Sequence, residues 1–284
     1  MHAPRNIAAP CSQYDFNELA EIYNQTRIDY IVPMPMNGKR MKQYVTSYDI
    51  NLDHSVVATT EDGDPIGIGM LGVRGPAAWI TRLGVVPNQR ERRVGSFLMT
   101  NLIDNARACN AHHIQLEVIV GNDPALNMFS KYGFEPTREL LVIRRPPRPH
   151  VEGTHPLVHE LRELNDDEIH DCLMQREPGA SWVEDTPSLL NAGSLKGIQI
   201  RMGENGLGWV VFMCTRFQIQ HVVLHATDEH YHEIMNGLLY YMHELYPNRD
   251  TKVENVPSDH PTWRAYGALG YVIDFKRTEM VMTL

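Results

Sequence analysis

Hydrophobic and polar positions alternate along the first half of the chain with two periods, one typical of helices and one of strands. Phe16, Leu19, Ile22 and Tyr23 recur at helical spacing within residues 14–25, which predicts an amphipathic helix. Further periods of both kinds predict helices at 94–108 and 123–131 and strands at 54–60, 65–73, 77–86, 113–120 and 140–145. Strands that alternate with helices indicate an α/β fold.

A proline-rich segment separates this half from the rest of the chain. Residues 145–154 contain three prolines and one glycine, a composition that continues neither a helix nor a strand. We therefore predict a linker at 147–153, between a first domain of residues 1–146 and a second domain of residues 154–284. The length of 284 residues agrees with two domains.

The second half repeats the order of elements of the first half. Its pattern predicts a strand at 219–225, a helix at about 229–245 and another strand at 251–256. A shift of 137 residues superposes landmarks of the two halves: Val85 on Val222, Glu117 on Glu254, Phe129 on Tyr266 and Gly133 on Gly270. Several matches at one offset indicate a tandem duplication.

Charge and cysteine content narrow the classes of function. The chain has 26 Lys and Arg against 35 Asp and Glu, a net charge of −9, which argues against nucleic acid or an anionic membrane as a partner. It has no apolar run long enough to span a membrane, and its first residues lack the apolar core of a signal peptide. The four cysteines lie far apart without a C-x-x-C pair, so we expect a reducing, cytoplasmic location.

The most informative stretch is residues 83–99, where a predicted strand ends in a turn that opens a helix. The first amides of a helix have no acceptor within it and lie at the positive end of its dipole, so such a turn binds phosphate. Gly95 lets a ligand approach the backbone because it has no Cβ atom. Arg90 and Arg93 add positive charge suited to a polyphosphate.

This stretch resembles the cofactor fingerprint of the GNAT superfamily, the acyl-CoA-dependent N-acyltransferases. The pattern V-x-P-x-x-R is matched by residues 85–90, and R-x-x-G-x-G/A is matched by residues 90–95, except that Arg93 stands where the family has glycine. The resemblance implies that acetyl-CoA, the acyl donor, is bound by Leu83, Val85, Val86, Arg90, Glu91, Arg93, Val94, Gly95 and Ser96. It also implies that the strands ending at Val86 and Val120 splay apart and admit the pantetheine arm.

Residues 122–134 resemble a second landmark of the family, N-x-x-A-x-x-x-Y-x-x-x-G-F. The resemblance implies that Asn122 contacts the pantetheine arm and that Phe129 borders the cofactor. The family has a tyrosine at the position of Phe129, and this tyrosine often protonates the departing thiolate of coenzyme A. Because Phe129 has no proton to donate, the general acid stays open.

The corresponding turn of the second half has lost these features. Asp228, Glu229 and Glu233 would repel a diphosphate, and no glycine precedes Gly237. We therefore predict a degenerate GNAT-like domain that does not bind coenzyme A. Histidines near this turn lack a recognised metal-ligand spacing, so no metal is expected; they are His221, His225, His230 and His232.

Glu117 is the candidate general base. It lies on the strand predicted beside the cofactor strand, and an alkyl amine with a pKa of about 10.4 must lose a proton before it attacks a thioester. The alternative is a strand carboxylate that pairs with an arginine or faces solvent, and the matching Glu254 favours such a structural role. Arg82 also has two interpretations, a ligand of a substrate carboxylate or a partner of a neighbouring acid.

These features predict an α/β (α+β) protein of two GNAT-like domains, each a mixed, mostly antiparallel sheet flanked by helices. The resemblance implies an N-acetyltransferase that moves an acetyl group from acetyl-CoA to a primary amine of a small molecule or peptide by direct attack. The alternative is a catalytically decayed protein that binds acyl-CoA or acts as a scaffold. The sequence leaves the acceptor unidentified and a homodimer open.

Overall fold

The computed structural model describes residues 6–90, 92–151, 156–227 and 229–284. The chain forms two compact units: unit 1 consists of Met1–Thr137 and Thr278–Leu284, and unit 2 of Arg138–Arg277. The division between the units falls within strands and does not coincide with the predicted linker, whose Glu152 and Gly153 lie outside the described residues.

Unit 1 contains a mostly antiparallel sheet with helices packed on it. Its elements are β1 (Ile7–Pro10), α1 (Phe16–Gln25), α2 (Gly38–Ser47), β2 (Val56–Thr59), β3 (Pro65–Arg74), β4 (Ala77–Val85), α3 (Val94–Ala108), β5 (His113–Ile119), α4 (Asp123–Lys131) and the start of β6 (Glu135–Arg145). The strand order is β1-β2-β3-β4-β5, followed by the end of β12 (Val272–Thr283) and by β6. Pairs among β1 to β4 are antiparallel, whereas β4 and β5 are parallel.

The core of unit 1 follows from the helical and strand periods. Leu98 and Leu102, one turn apart on α3, are fully buried in one cluster with Ile114 and Leu116 of β5. Successive side chains of a strand point to opposite faces of the sheet. Glu117 therefore lies on the face opposite to α3, and this placement decides which side chains it meets.

Unit 2 has the same order of elements. After the end of β6 it contains β7 (Glu160–Leu164), α5 (Asp166–Met174), α6 (Thr186–Ala192), β8 (Leu195–Met202), β9 (Gly206–Cys214), β10 (Gln218–Ala226), α7 (Tyr231–Leu245), β11 (Asp250–Pro257), α8 (Thr262–Ala268) and the start of β12. The strand order is β7-β8-β9-β10-β11-β6-β12. Antiparallel pairs link β7, β8, β9 and β10, and β10 pairs with β11 in parallel.

Two strands explain where the units divide. β6 leaves unit 1 after Thr137, and β12 enters unit 1 at Thr278, so the last seven residues of the chain complete the first sheet. Within unit 1 the Leu284 amide donates to the His112 carbonyl over 2.9 Å, and Thr137 Oγ1 donates to the Glu279 carbonyl over 3.2 Å. A hydrophobic pattern identifies a strand but not the sheet that it joins. In the described part of the chain, no helix has both the length and the apolar character needed to cross a bilayer.

Candidate active site

A cleft opens in unit 1 where β4 and β5 part, as the sequence analysis predicted. The two strands pair only at Ala77 with His113, Ala78 with Ile114 and Trp79 with Gln115. Beyond this point each strand continues, β4 as far as Val85 and β5 as far as Ile119. The register of β3 and β4 shifts between the pairs of Ile68 and Met70, which is a bulge that bends β4 away from β5.

The backbone of Val85 faces this cleft. Val86 donates its amide to the Ile66 carbonyl over 3.0 Å, so residues 86 and 66 form a hydrogen-bonded pair. Such pairs alternate with non-bonded pairs along antiparallel strands, and Val85 lies opposite Gly67. The amide and carbonyl of Val85 therefore point away from β3, towards the gap that β5 has left. An extended ligand in this gap can bond to the Val85 amide as an additional strand would, whereas the Val85 carbonyl accepts from Arg90.

The start of α3 lies beside the end of β4. Its first helical hydrogen bond joins the Phe97 amide to the Arg93 carbonyl over 2.9 Å, so the amides of Val94, Gly95 and Ser96 have no acceptor within the helix. The N-cap residue is Arg93, with φ 60°, and its side chain makes no capping hydrogen bond to them. These amides form a site suited to a diphosphate.

Gly95 leaves room for a ligand beside the amides at this turn. A Cβ atom placed there would lie 3.3 Å from Met128 Sδ and 3.8 Å from Val85 Cγ2. The glycine thus occupies a narrow position between α4 and β4 where a larger side chain would fill the approach to the helix amides. The residues present therefore fit a coenzyme A diphosphate at this turn.

Arg90 is engaged by the protein itself. Its guanidinium makes two contacts of 2.7 Å with the Asp29 carboxylate and donates to the Val85 carbonyl over 3.2 Å. The Arg90 side chain lowers the pKa of Asp29. This pair ties the segment after α1 to the turn, whereas the Arg93 side chain is exposed. Glu91, also expected to bind the cofactor, lies outside the described residues.

The other predicted cofactor residues lie around the same cleft. Asn122 is the N-cap of α4, where its Oδ1 accepts from the Ala125 amide over 3.4 Å. Phe129 is buried, with its ring centroid 6.1 Å from that of Phe134. The Leu83 carbonyl accepts from the Arg27 guanidinium over 2.9 Å. The cofactor roles of these residues stay predictions.

On the face opposite to α3, the structure places Glu117 against aromatic residues. Trp79 Nε1 donates to Glu117 Oε2 over 2.8 Å. Tyr44, from α2, has its ring centroid 6.2 Å from that of Trp79 and shares a 2.6 Å hydrogen bond with Thr81 Oγ1. Burial raises the pKa of Tyr44 to about 12, so its hydroxyl is neutral around pH 7.

Arg82 is the bulge residue of β4, with φ 52°. Its guanidinium donates to Tyr23 Oη over 2.9 Å and lies over the Tyr44 ring, 4.2 Å from the centroid. We name Tyr23, Tyr44, Trp79, Thr81, Arg82 and Glu117 the Glu117 cluster. Glu117 and Arg82 were candidates from the sequence, whereas the aromatic members of the cluster were not. Of the aromatic residues, only Tyr23 had a signal in the sequence, which was its helical spacing. Tyr44 and Trp79 had none, because they are distant in sequence from Glu117.

Unit 2 has an equivalent cleft, which its own side chains occupy. β10 and β11 pair only at Gln218 with Asp250 and Ile219 with Thr251 before they part. The Thr227 amide donates to the Leu207 carbonyl over 2.9 Å, and by the same alternation Val222 faces the gap. Tyr266 Oη donates to that Val222 carbonyl over 3.1 Å.

A buried ion pair lies at the bulge of β10. His221, the bulge residue with φ 53°, has its Nδ1 3.4 Å from Glu184 Oε1. Burial opposes the charged form of His221, but the Glu184 carboxylate outweighs it and raises the pKa of His221, with a smaller contribution from Glu254. Glu254, the counterpart of Glu117, lies 2.9 Å from Arg277. Glu254 is thus a strand carboxylate paired with an arginine, which is the structural role given above as the alternative for Glu117.

The α7 turn of unit 2 keeps the shape of the α3 turn without its glycine. His230 is the N-cap with φ 58°, close to the value of Arg93, and His232 occupies the position of Gly95. Asp228 lies outside the described residues. Within those that are described, no three His, Cys, Asp or Glu side chains come together as a metal site.

Comparisons with known proteins agree with this geometry. Residues 17–134 match the family model described as the acetyltransferase (GNAT) family. A GCN5-related N-acetyltransferase from Sphaerobacter thermophilus is 12% identical, with a TM-score of 0.70 over 98% of this chain and 95% of that one. A tandem GNAT protein of the clavulanic acid biosynthesis pathway is 14% identical, with a TM-score of 0.63 over 98% of both chains.

A third structure is a fungal GCN5-related glucosamine N-acetyltransferase region within a multi-domain β-N-acetylglucosaminidase. It is 12% identical, with a TM-score of 0.75 over 99% of this chain and 38% of that one. These identities support a common fold and nothing finer. No curated protein gives a significant match.

Proposed function

We propose, from the premise that residues 17–134 form an acetyltransferase domain of the GNAT family, that the chain transfers an acetyl group from acetyl-CoA to a primary amine by direct attack. The observation that supports this most strongly is the cleft between β4 and β5, with the Val85 backbone on one side and uncapped helix amides at its end. When bound, acetyl-CoA supplies an activated thioester carbonyl.

Unit 1 would hold the cofactor by backbone groups more than by charge. The amides of Val94, Gly95 and Ser96 would bind the diphosphate, with the exposed Arg93 side chain beside them. The Val85 amide would bond to the pantetheine arm or stabilise negative charge on the thioester oxygen during attack. Arg90 would act through Asp29 by holding the turn in place.

Glu117 would receive the proton of the acceptor amine, directly or through a water molecule. Glu117 lies on the sheet face opposite to α3. The base and the amides at the start of α3 are therefore on different faces of the sheet. Phe129 has no proton to donate, and the thiolate needs a proton source other than this residue.

The first test is acetyl transfer from acetyl-CoA to a panel of amines, monitored by thiol release. The panel should include amino sugars, since one structural neighbour is a glucosamine N-acetyltransferase, with polyamines, amino acids and peptides. We expect Glu117→Gln to lower kcat/KM about a hundredfold, within the usual range for a general base. Glu254→Gln is the matched control and should have no effect. Equal activity of both variants would remove Glu117 as the base.

The second candidate function is an acyl-CoA-binding or scaffolding protein without transferase activity. Phe129 and Arg93 favour it, because each departs from the family at a cofactor position. Tight binding of acetyl-CoA without transfer to any amine of the panel would support this candidate against the enzyme.

We propose that unit 2 is a degenerate domain that does not bind coenzyme A. The Tyr266 hydroxyl bonds to the Val222 carbonyl on the side of β10 that faces the gap, and Glu229 and Glu233 stand at the turn. The acceptor class and a homodimer stay open to the activity panel and to light scattering. The free cysteines favour a cytoplasmic location as a further proposal.

A further inference from the structure

Trp79 lies at the point where the cleft of unit 1 begins. It forms the last β4–β5 pair, with Gln115, and its side chain is buried. Tyr48 packs on the indole with 5.8 Å between ring centroids, and Tyr44 with 6.2 Å. Strand pairing on one side and aromatic packing on the other therefore fix the direction of its Nε1–H group.

That group donates to Glu117 Oε2 over 2.8 Å. A hydrogen bond to an ionised carboxylate favours the ionised form and is stronger than one between neutral groups. An indole is also a donor without acceptor capacity, so it cannot compete with the carboxylate for a proton. The contact holds Glu117 in one direction and in the form that a base requires.

Other titratable and charged groups of the cluster bear on Glu117 as well. Tyr44 interacts electrostatically with both Glu117 and Arg82, and its raised pKa keeps it neutral. Tyr23 Oη accepts from Arg82. Arg82 is thus the cation of the cluster, whereas Trp79 and the two tyrosines are neutral donors or packing groups. Removal of the indole changes the hydrogen bonding of Glu117 without changing the net charge.

We propose that Trp79 is the positioning residue of Glu117: its indole hydrogen bond holds the carboxylate beside the last β4–β5 pair and favours the ionised form. This inference rests on the proposed function, in which Glu117 is the general base. Trp79 does not need to touch the acceptor, because its effect passes through Glu117.

The first experiment is the pH profile of Trp79→Phe, which keeps an aromatic ring and removes the donor. We expect kcat to fall about tenfold and the acidic midpoint of kcat/KM to move up by about one to two units, the shift that corresponds to the usual strength of a hydrogen bond to a charged group. The KM for acetyl-CoA should stay unchanged. Trp209→Phe, which alters another buried tryptophan stacked on His225, should leave the midpoint in place.

A second experiment does not depend on activity. The chain has four tryptophans, so an ¹⁵N spectrum contains four indole signals, and the one lost in Trp79→Phe belongs to Trp79. This signal should shift with pH through the titration of Glu117, and the shift should vanish in Glu117→Gln. A Trp79 signal that is identical in the wild type and in Glu117→Gln at all pH values would overturn the proposal.

The outcomes separate the two proposals. If Glu117→Gln lowers kcat/KM about a hundredfold while Trp79→Phe leaves the acidic midpoint unchanged, Trp79 does not position the base and the proposed function stands. If Glu117→Gln leaves transfer unchanged, Glu117 is not the base, and the inference about Trp79 fails with it.

Discussion

The two units share an order of elements and a pair of parted parallel strands, but different groups lie in the cleft between those strands. In unit 1 the Val85 amide faces the gap, the Val85 carbonyl accepts from Arg90 of the turn, and a phenylalanine stands at position 129 of α4. In unit 2 the carbonyl of Val222, at the bulge of β10, is bonded to Tyr266 of α8, and a buried His221–Glu184 pair lies at the same bulge. The two units therefore keep one architecture but differ at this position of the last helix, where unit 2 has a hydroxyl that bonds to the strand backbone and unit 1 has a phenylalanine ring.

The turns before α3 and α7 show the same contrast at matched geometry. Arg93 and His230 are both N-caps in the left-handed region, with φ 60° and 58°. The backbone shape is thus retained in both copies, and the difference lies at the second residue of each helix, which is Gly95 in unit 1 and His232 in unit 2. Shape alone does not make a diphosphate site; access to the amides and the surrounding charge decide it.

The largest effect should come from closing the turn of unit 1. Gly95→Trp places a bulky side chain against Met128 and Val85 and should weaken acetyl-CoA binding at least about a hundredfold, because the helix amides are no longer accessible. His232→Trp makes the same change at the matched, exposed position of unit 2 and should not alter binding. Titration calorimetry measures both, with circular dichroism to check the fold. Equal losses in the two variants would contradict the contrast between the turns.

The ion pair of unit 2 should make that unit's stability depend on pH. Because the pKa of His221 is raised in the folded protein, the pair stabilises the fold below the unfolded histidine pKa of about 6.5. This contribution is lost as pH rises through the raised value. Glu184→Gln should remove most of this dependence and destabilise the unit most at low pH.

Hydrogen exchange of β10 and β11 amides between about pH 5.5 and 8.5 measures this change, after correction for the intrinsic exchange rate. Amides of β4 and β5 serve as the internal reference. A pH dependence in β10 and β11 that persists unchanged in Glu184→Gln would exclude the His221–Glu184 pair as its source.

The left-handed N-caps offer a comparison in which stability and binding change in opposite directions. Arg93→Gly should stabilise unit 1 by about 0.5–1 kcal/mol, because glycine adopts positive φ without steric cost. The same variant should weaken acetyl-CoA binding about tenfold by removing a phosphate partner. His230→Gly should give the stabilisation without the loss of binding. Urea unfolding and calorimetry measure the two effects, and unchanged affinity in Arg93→Gly would exclude that side chain from the site.

The smallest effect should come from Tyr266→Phe. It removes the hydroxyl that bonds to the Val222 carbonyl and should lower the free energy of unfolding by about 1 kcal/mol. Acetyl-CoA binding should keep the stoichiometry of the wild type, because Glu229 and Glu233 still oppose a diphosphate. If a second equivalent of acetyl-CoA binds to this variant, the tyrosine alone separates the two clefts.

The sequence predicted those helices and strands whose hydrophobic periodicity extends over enough residues to be recognised. The predicted helices at 94–108 and 123–131 have the bounds of α3 and α4. By contrast, no helix was predicted at α5 and α6, which have nine and seven residues and so show about two turns of a helical period. The helix α4 also has nine residues, but it lies within the family landmark at residues 122–134. The exchange of β6 and β12 between the units had no local signal, because strand partners are set by tertiary packing.

The candidate site shows the same limit. The turn at Gly95 and the parting of β4 and β5 followed from a local motif and the resemblance that it supports. The contact between Trp79 and Glu117 joins residues 38 positions apart, and the packing of Tyr44 depends on how α2 folds back on the sheet. To predict such contacts, one must know both which face of the sheet each side chain of β5 points to and where α2 packs on that sheet.

The most direct test of the central claim is calorimetric titration of the intact chain with acetyl-CoA. The contrast between the two clefts predicts a single site per chain, abolished by Gly95→Trp and retained in His232→Trp. Two sites per chain, or none with any coenzyme A thioester, would contradict it.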